Sequence, residues 1–346
     1  MNSATAPTST VHEDASVVDL NSSDARPMLS IVVPVYNEED VLAEFHQRTT
    51  HVLDEIGAST EILYVNDGSR DRSLAMLYEL QEADPRVSVI NLSRNFGKEI
   101  ALTAGLDHSR GAAIVVIDAD LQDPPELIPA LIGRWREGYD LVNATRIARS
   151  GETFLKKITA KQFYRIIHHL GQVRIPQDTG DYRLLSRRAV DALIQLREQH
   201  RFMKGLFAWI GFPQTSVPYH RQPRFAGETK WNYWKLWNFA IEGITSFTTV
   251  PLRMASYLGI ITAMIAFLYA IWIVFKTLAW GDPVAGYPTI MVVMLFLGGV
   301  QLTAIGVMGE YLGRMFNETK RRPLYLVESY RPSCLLHIDP AHETAV

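Results

Sequence analysis

From Leu29 to about Pro218, short apolar runs alternate with helix-length segments, and that rhythm sets the expected elements. Leu29–Val35 reads as a first strand, and Glu39–Leu53 has helical spacing with acids in its first turn, where the helix dipole favours them. Glu61–Val65 is expected as a second strand, followed by a helix from about Arg72 to Ala83. Val87–Leu92 follows as a third strand, Ile100–His108 as a helix and Ala113–Ile117 as a fourth strand. Strands and helices in alternation imply an α/β fold, a mostly parallel sheet covered by helices. Ligands of such sheets bind beyond the carboxyl ends of the strands.

Beyond residue 250 the pattern changes. Met254–Leu278 and Tyr287–Gly309 are nearly uninterrupted apolar runs, each long enough (about 20 residues or more) to cross a bilayer. Only Asp282 charges the connector Ala279–Gly286, so the two spans are expected to form a hairpin. Arg253 precedes the first span and Arg314, Lys320, Arg321 and Arg322 follow the second, which places both flanks in the cytoplasm. Lys276, near the far end of the first span, can snorkel among Trp272 and Trp280. Gly298-Gly299, Gly306 and Gly309 offer small surfaces for helix packing and a homo-oligomer. Glu310 can pair with Arg314 one turn on. The boundaries expected are a disordered tail (1–27), a catalytic domain (28–222), a loop and juxtamembrane interfacial segment (223–252), two transmembrane helices (253–313, with spans 254–278 and 287–309) and a cytoplasmic C-terminal tail (314–346).

Polar clusters stand where the strands end. Asp118 and Asp120 flank the small Ala119 just before Pro124-Pro125 stops the strand. Period-two geometry puts the two carboxylates on one side, with Gln122 two positions on. Hard oxygen donors of this kind suit Mg2+ or Mn2+, which keep waters and complete their shells with substrate phosphates; a solvated turn is the plain alternative. Pro34-Val35-Tyr36-Asn37-Glu38-Glu39 offers an aromatic face and carboxylates suited to a base and ribose, or Asn37 caps the next helix. Asp67 can accept a nucleobase imide hydrogen or shape an Asp-Gly turn. Arg94-Asn95-Phe96-Gly97-Lys98 either steers phosphate or is a solvated loop.

Composition narrows the class. A net charge of −3 over 346 residues offers no general attraction to nucleic acid, and none is expected as a partner. One cysteine, Cys334, excludes an intrachain disulfide framework and a cysteine zinc cluster. Met1–Arg26 is rich in Ser, Thr, Ala and acids with no signal-peptide core, and is expected to be disordered.

Together the clusters VPVYNEE, NDGSRD and DADLQDPPE resemble the GT-A fold, Rossmann-like, of family-two glycosyltransferases. DTGDYRLLSRR, RFMKGLFAWIG, RFAGETK, KLWNFAIEGITSFTTVPLR and GEYLGR narrow the resemblance to the polyisoprenyl-phosphate glycosyltransferases, nearest the bactoprenol glucosyltransferases of serotype-conversion clusters, and it spans roughly Met28–Val327. The resemblance implies nucleotide binding by Pro34, Tyr36, Glu38, Val65 and Asp67. It implies a metal and diphosphate group of Asp118, Ala119, Asp120 and Gln122, with Asp120 and Gln122 as direct ligands. Arg146 matches an arginine that meets phosphate, and Arg224 with Lys230 a basic pair on a loop over the donor. Asn66 departs from the pattern, since many relatives carry a second aspartate there.

The reaction so implied is metal-dependent, inverting transfer of glucose from UDP-glucose to undecaprenyl phosphate on the cytoplasmic face of the cell inner membrane, a cell-envelope activity of the O-antigen modification kind. UDP-GlcNAc or an aminosugar donor is the alternative, and an inactive scaffold or nucleotide-sugar sensor the alternative of another class. Asp181 is expected nearest the reacting carbons, orienting the sugar or accepting a proton, unless it only caps a helix or pairs with Arg183. Lys156, Lys157 and Lys161 share a helical stretch and either collect the acceptor phosphate or form a solvated face. Trp231, Trp234, Trp237 and Phe239 interleave with Lys230, Lys235 and Asn238, a composition that suits the headgroup interface or else a stripe of core aromatics.

Overall fold

The structure is a computed structural model of the chain and describes residues 27–147, 179–199, 201, 203–220, 250–280 and 286–334. The expected tail at Met1–Arg26, the lysines 156, 157 and 161, Arg224, Lys230 and the segment Trp231–Phe247 lie outside the described residues. In chain order the elements are β1 (Leu29–Val35), α1 (Leu42–Ile56), β2 (Thr60–Asn66), α2 (Ser73–Ala83), β3 (Val87–Leu92), α3 (Lys98–His108), β4 (Ala113–Val116) and α4 (Ile128–Arg136). There follow β5 (Leu141–Arg146), β6 (Thr179–Ser186), α5 (Arg187–Gln195), α6 (Met203–Trp209), β7 (Gln214–Tyr219), α7 (Val250–Trp280), α8 (Tyr287–Thr319) and β8 (Val327–Arg331).

One sheet runs β7-β5-β6-β4-β1-β2-β3-β8. Its centre is parallel: β1 pairs in parallel with β2 and β4, and β2 with β3. β6 runs antiparallel to β4 and β5, whereas β5 and β7 are again parallel. Strands β2, β3 and β4 are buried at every position, as central strands covered on both faces must be. On one face α1 lays down Leu42, Phe45, Thr49, Val52 and Leu53, an apolar stripe at helical spacing. On the other, α3, α5 and α6 bring Leu102, Val190 and Leu206 against Val32, Ile114 and Leu185. Helix α3 lies so close that a Cβ on Gly105 would clash with Val32 Cγ1.

Several boundaries differ from the sequence pattern, among them α1, which runs Leu42–Ile56 where the spacing predicts Glu39–Leu53. β4 ends at Val116 and not Ile117: Ile117 still donates to the Val32 carbonyl at 3.1 Å, but the chain then turns, with Leu121 at φ 57°. The acidic pair therefore sits in a turn past the strand. α3 begins at Lys98 rather than Ile100, because the loop before it is pinned by Asp67. Val327–Arg331, within the segment expected as a tail, is a strand paired antiparallel with β3.

Helices α7 and α8 are 31 and 33 residues long and pack against each other as a hairpin. Among the described residues taken alone, no helix is long and apolar enough to cross a membrane. The pair is nevertheless no buried core element, since Met254, Ile260, Phe267, Met294, Leu302 and Leu312 are all exposed. Glu310 and Arg314 pair at 3.1 Å, one helical turn apart.

Candidate active site

The carboxyl ends of β1, β2, β4 and β5 and the β6 strand bring together most of the described residues singled out from sequence. At the end of β1, Asn37 takes φ 54° and joins the loop after β2: its side-chain oxygen accepts from the Arg70 N–H at 2.8 Å and its N–H donates to Ser69 Oγ at 3.1 Å. Asn37 does not cap α1, which begins at Leu42 behind Val41. Tyr36 beside it is 40% exposed, an open aromatic face. Glu38 N–H donates to Ser73 Oγ at 2.9 Å, and Glu39 Oε2 accepts from the Arg72 N–H at 2.8 Å. Two strand-end loops are thus laced into one rim. Val65 is wholly buried under α3, so only its backbone can face a ligand. At the position that departs from the family pattern, Asn66 donates to Asn91 Oδ1 at 2.8 Å.

Asp67 is 2% exposed. Its Oδ1 accepts from the Phe96 N–H at 2.7 Å and its Oδ2 from the Gly97 N–H at 2.9 Å. Burial pushes this carboxyl up, against the pull of those two bonds. Gly97 has φ 98°, a conformation glycine adopts readily, and that turn aims the next residue, Lys98, across the sheet end. The ammonium of Lys98 then meets Asp118 Oδ2 at 2.6 Å and Asp181 Oδ2 at 2.5 Å. Burial works against the charge of Lys98, but Asp118 and Asp181 outweigh it and hold the lysine above its ordinary pKa. At Asp118 burial wins and raises the pKa, whereas at Asp181 burial is overcome by Lys98, Lys204 and Arg183, which hold it well below the usual carboxylate range.

The acidic turn keeps the alternation expected of it. Ala119 and Leu121 are 2% exposed, while Asp118, Asp120 and Gln122 stay partly open. Asp120 Oδ1 accepts from the Gln122 N–H at 3.1 Å, which tightens the turn. Among the described residues no three His, Cys, Asp or Glu side chains come together to hold a metal. Two carboxylates and a carboxamide do suit one hard divalent cation that takes its remaining ligands from phosphate and water.

Arg146, at the end of β5, stands over β6. Its Nη2 would lie 3.0 Å from a Cβ on Gly180, the neighbour of Asp181. Its Nε donates to Tyr219 Oη at 3.3 Å, and the Tyr219 hydroxyl donates in turn to Asp123. Tyr182 donates to the Pro124 carbonyl at 3.0 Å, so the Pro124-Pro125 corner is tied to β6. Arg183 does not pair with the Asp181 carboxylate; it donates to the Gly180 carbonyl at 2.7 Å and stacks over Phe207 with 3.8 Å to the ring centroid. Behind Asp181 lie Glu99, pushed up to about 8 by burial and by Asp181, and Lys204, pulled down by burial.

Sequence reasoning assigned no such contacts to Lys98, Glu99, Lys204, Asp123 or Tyr219. One signal was present for Lys98, a cation in the first turn of a helix, where the dipole disfavours it unless anions compensate.

Residues 30–194 match glycosyl transferase family 2, and residues 250–315 match the GtrB C-terminal hairpin. The chain is 54% identical over 299 residues to the uncharacterized glycosyltransferase sll0501 of Synechocystis sp., covering 86% of this chain and 94% of that one. It is 47% identical over 302 residues to the bactoprenol glucosyl transferase of Shigella phage SfX, covering 87% of this chain and 99% of the relative. Among solved structures, glucosyl-3-phosphoglycerate synthase from Mycobacterium tuberculosis in complex with Mn2+, UDP-glucose and phosphoglyceric acid aligns with a TM-score of 0.45 at 20% identity, over 66% of this chain and 81% of that chain.

Proposed function

The chain belongs to glycosyl transferase family 2 and carries the GtrB C-terminal hairpin, and from that premise we propose that it transfers glucose from UDP-glucose to undecaprenyl phosphate, or another polyprenyl phosphate, with inversion at the anomeric carbon. The observation that carries the proposal is the meeting, at the sheet end, of the acidic turn at Asp118–Gln122 with Asp181 and Arg146. A nucleotide, a diphosphate and a reacting sugar each need a different kind of partner, and this rim supplies all three.

Tyr36 and the Pro34–Glu38 loop flank the nucleoside, and Asp67 shapes the loop opposite. UDP leaves as an anion, so stabilising the developing diphosphate charge is the main electrostatic task. Arg146 serves it from β5, and Arg224 and Lys230 are assigned to it from outside the described residues. Asp118, Asp120 and Gln122 would hold Mg2+ or Mn2+, which when bound adds positive charge beside the diphosphate. The attacking oxygen belongs to a phosphate that is already ionised near neutral pH, so Asp181 has less proton transfer to do than it would with a sugar hydroxyl. Held as a carboxylate by Lys98, it orients the sugar or takes the proton of a monoanionic acceptor. Lys156 and Lys161 are assigned to the acceptor phosphate. The hairpin of α7 and α8 keeps the catalytic domain at the cytoplasmic face of the inner membrane, where the lipid headgroup lies, and so turns a two-phase encounter into an oriented one.

The test uses purified full-length protein, undecaprenyl phosphate and a panel of labelled UDP-sugars, with and without EDTA. Lipid-linked glucose from UDP-glucose, abolished by EDTA and restored by Mg2+ or Mn2+, is expected. Preference for UDP-GlcNAc would overturn the choice of glucose, and EDTA-resistant transfer the metal assignment.

A further inference from the structure

Among the described residues, Lys98 is the side chain that touches both halves of the site. Its ammonium lies 2.6 Å from Asp118, on the turn after β4, and 2.5 Å from Asp181, on β6. β4 and β6 are neighbours and antiparallel, but their register pairs Val116 with Arg183, so the two carboxylates lie past the last paired residues of β4, where β6 is held only from its other side by β5. Without the lysine, two carboxylates face each other across that gap and repel. Among the described residues the buried Asp181 Oδ1 has no hydrogen-bond partner, so its orientation depends on what holds the other oxygen.

The position of Lys98 is itself held from a third direction. Asp67 takes both N–H groups that precede it, those of Phe96 and Gly97. Gly68 is packed so tightly under the same loop that a Cβ there would stand 2.5 Å from the Asn95 nitrogen. The loop from Arg94 to Lys98 therefore runs from the nucleoside rim to the reacting carboxylate with both ends fixed.

We propose that Lys98 is a positioning residue of the transfer reaction, its ammonium fixing the Asp181 carboxylate against the Asp118 turn and Asp67 fixing the loop that carries it. This rests on sugar transfer being the activity of the chain. Lys98 acts through Asp181, so its loss lowers turnover and leaves donor binding largely intact.

The experiment measures steady-state transfer from UDP-glucose to undecaprenyl phosphate by the full-length chain, in wild-type, K98M, K98R, D181N, K98M/D181N and K98R/D181N forms. For K98M, kcat is expected to fall by about 30-fold while KM for UDP-glucose stays within about threefold, the signature of an interaction that serves the transition state. K98R keeps the charge at a different reach and is expected to recover to within about fivefold of wild type in kcat. In the D181N background either change at Lys98 should alter kcat by less than about twofold, because the two residues act as one unit. Should K98M fail to fold, as a lost melting transition would reveal, the K98R and D181N pair decides alone. A K98M or K98R effect that multiplies in full with D181N, an effect confined to KM, or wild-type kcat in folded K98M overturns the proposal. Wild-type protein that forms no lipid-linked sugar overturns the functional reading instead, a separate outcome.

Discussion

Glu99 follows Lys98 in the first turn of α3 and shows how burial tunes this site. Its carboxyl is pushed from the ordinary 4.5 up to about 8, by burial first and by Asp181 second. A folded-state pKa above the unfolded one means that the folded chain keeps a proton the unfolded chain has released. The stability so contributed is present in full below the unfolded value near 4.5 and is lost as pH rises through about 8. Glu99→Gln should therefore flatten the decline: its melting temperature should exceed that of wild type at pH 8 and approach it at pH 5. A difference of the same size at both pH values would show that the Glu99 carboxyl is not titrating in this window. Gly68 provides a second test at this scale. With φ 65° and the Asn95 nitrogen 2.5 Å from a would-be Cβ, Gly68→Ala should cost about 1–3 kcal/mol in denaturant unfolding, because backbone and not a pliable side chain stands in the way. Asp118, Asp120 and Asp67 were legible in the sequence because each follows an apolar run and ends it. Lys98, Tyr219 and Asp123 were not, because Lys98 gains its meaning from Asp181, far along the chain, and Tyr219 and Asp123 from each other across the fold.

The elements divide in the same way. β1 to β4 could be read to within a residue, and α1 to α3 in their presence though α1 lies three residues further on than expected, since buried parallel strands are continuous apolar runs and their helices carry stripes. β8 could not: Val327–Arg331 is largely exposed and owes its conformation to pairing with β3. Its side chains reinforce the ladder, with Ser329 Oγ 3.1 Å from Tyr78 Oη and the Arg331 guanidinium 3.9 Å from the Tyr78 ring centroid. Asn91 donates to Glu328 Oε2 at 2.9 Å and Tyr325 to Asp107 Oδ2 at 2.7 Å. Ending the chain at Leu326 would leave β3 without its β8 partner, an unpaired strand at the sheet edge and a template for aggregation. That truncation is expected to lower the melting temperature by more than about 5 °C and to shift the protein toward aggregates in size-exclusion chromatography. An unchanged melt and a single unaggregated peak would show that the strand is dispensable.

At the scale of the whole molecule, β8 constrains the path of the chain. β8 follows α8, yet β3 and β8 are hydrogen-bonded neighbours, so after the hairpin the chain returns to the catalytic sheet. Such a return is what the proposed two membrane crossings require, and under that proposal the basic residues Arg314, Lys320, Arg321 and Arg322 after α8 put the sheet on the cytoplasmic side. A cysteine at Asp282, in a chain whose exposed Cys334 has been replaced by serine, should be labelled by an impermeant maleimide on intact cells. Labelling that requires lysis would reverse the topology. The chemistry is tested most directly by the lipid product itself. Purified full-length protein is given undecaprenyl phosphate and isotopically labelled UDP-glucose, in which the sugar is α-linked, and the product is identified by mass spectrometry and its anomeric coupling by NMR. Expected is a lipid-linked glucosyl phosphate of β configuration, formed by wild type and lowered at least about 100-fold in Asp120→Ala. An α-linked product, or undiminished product from a folded Asp120→Ala variant, would be incompatible with inverting transfer at this acidic turn.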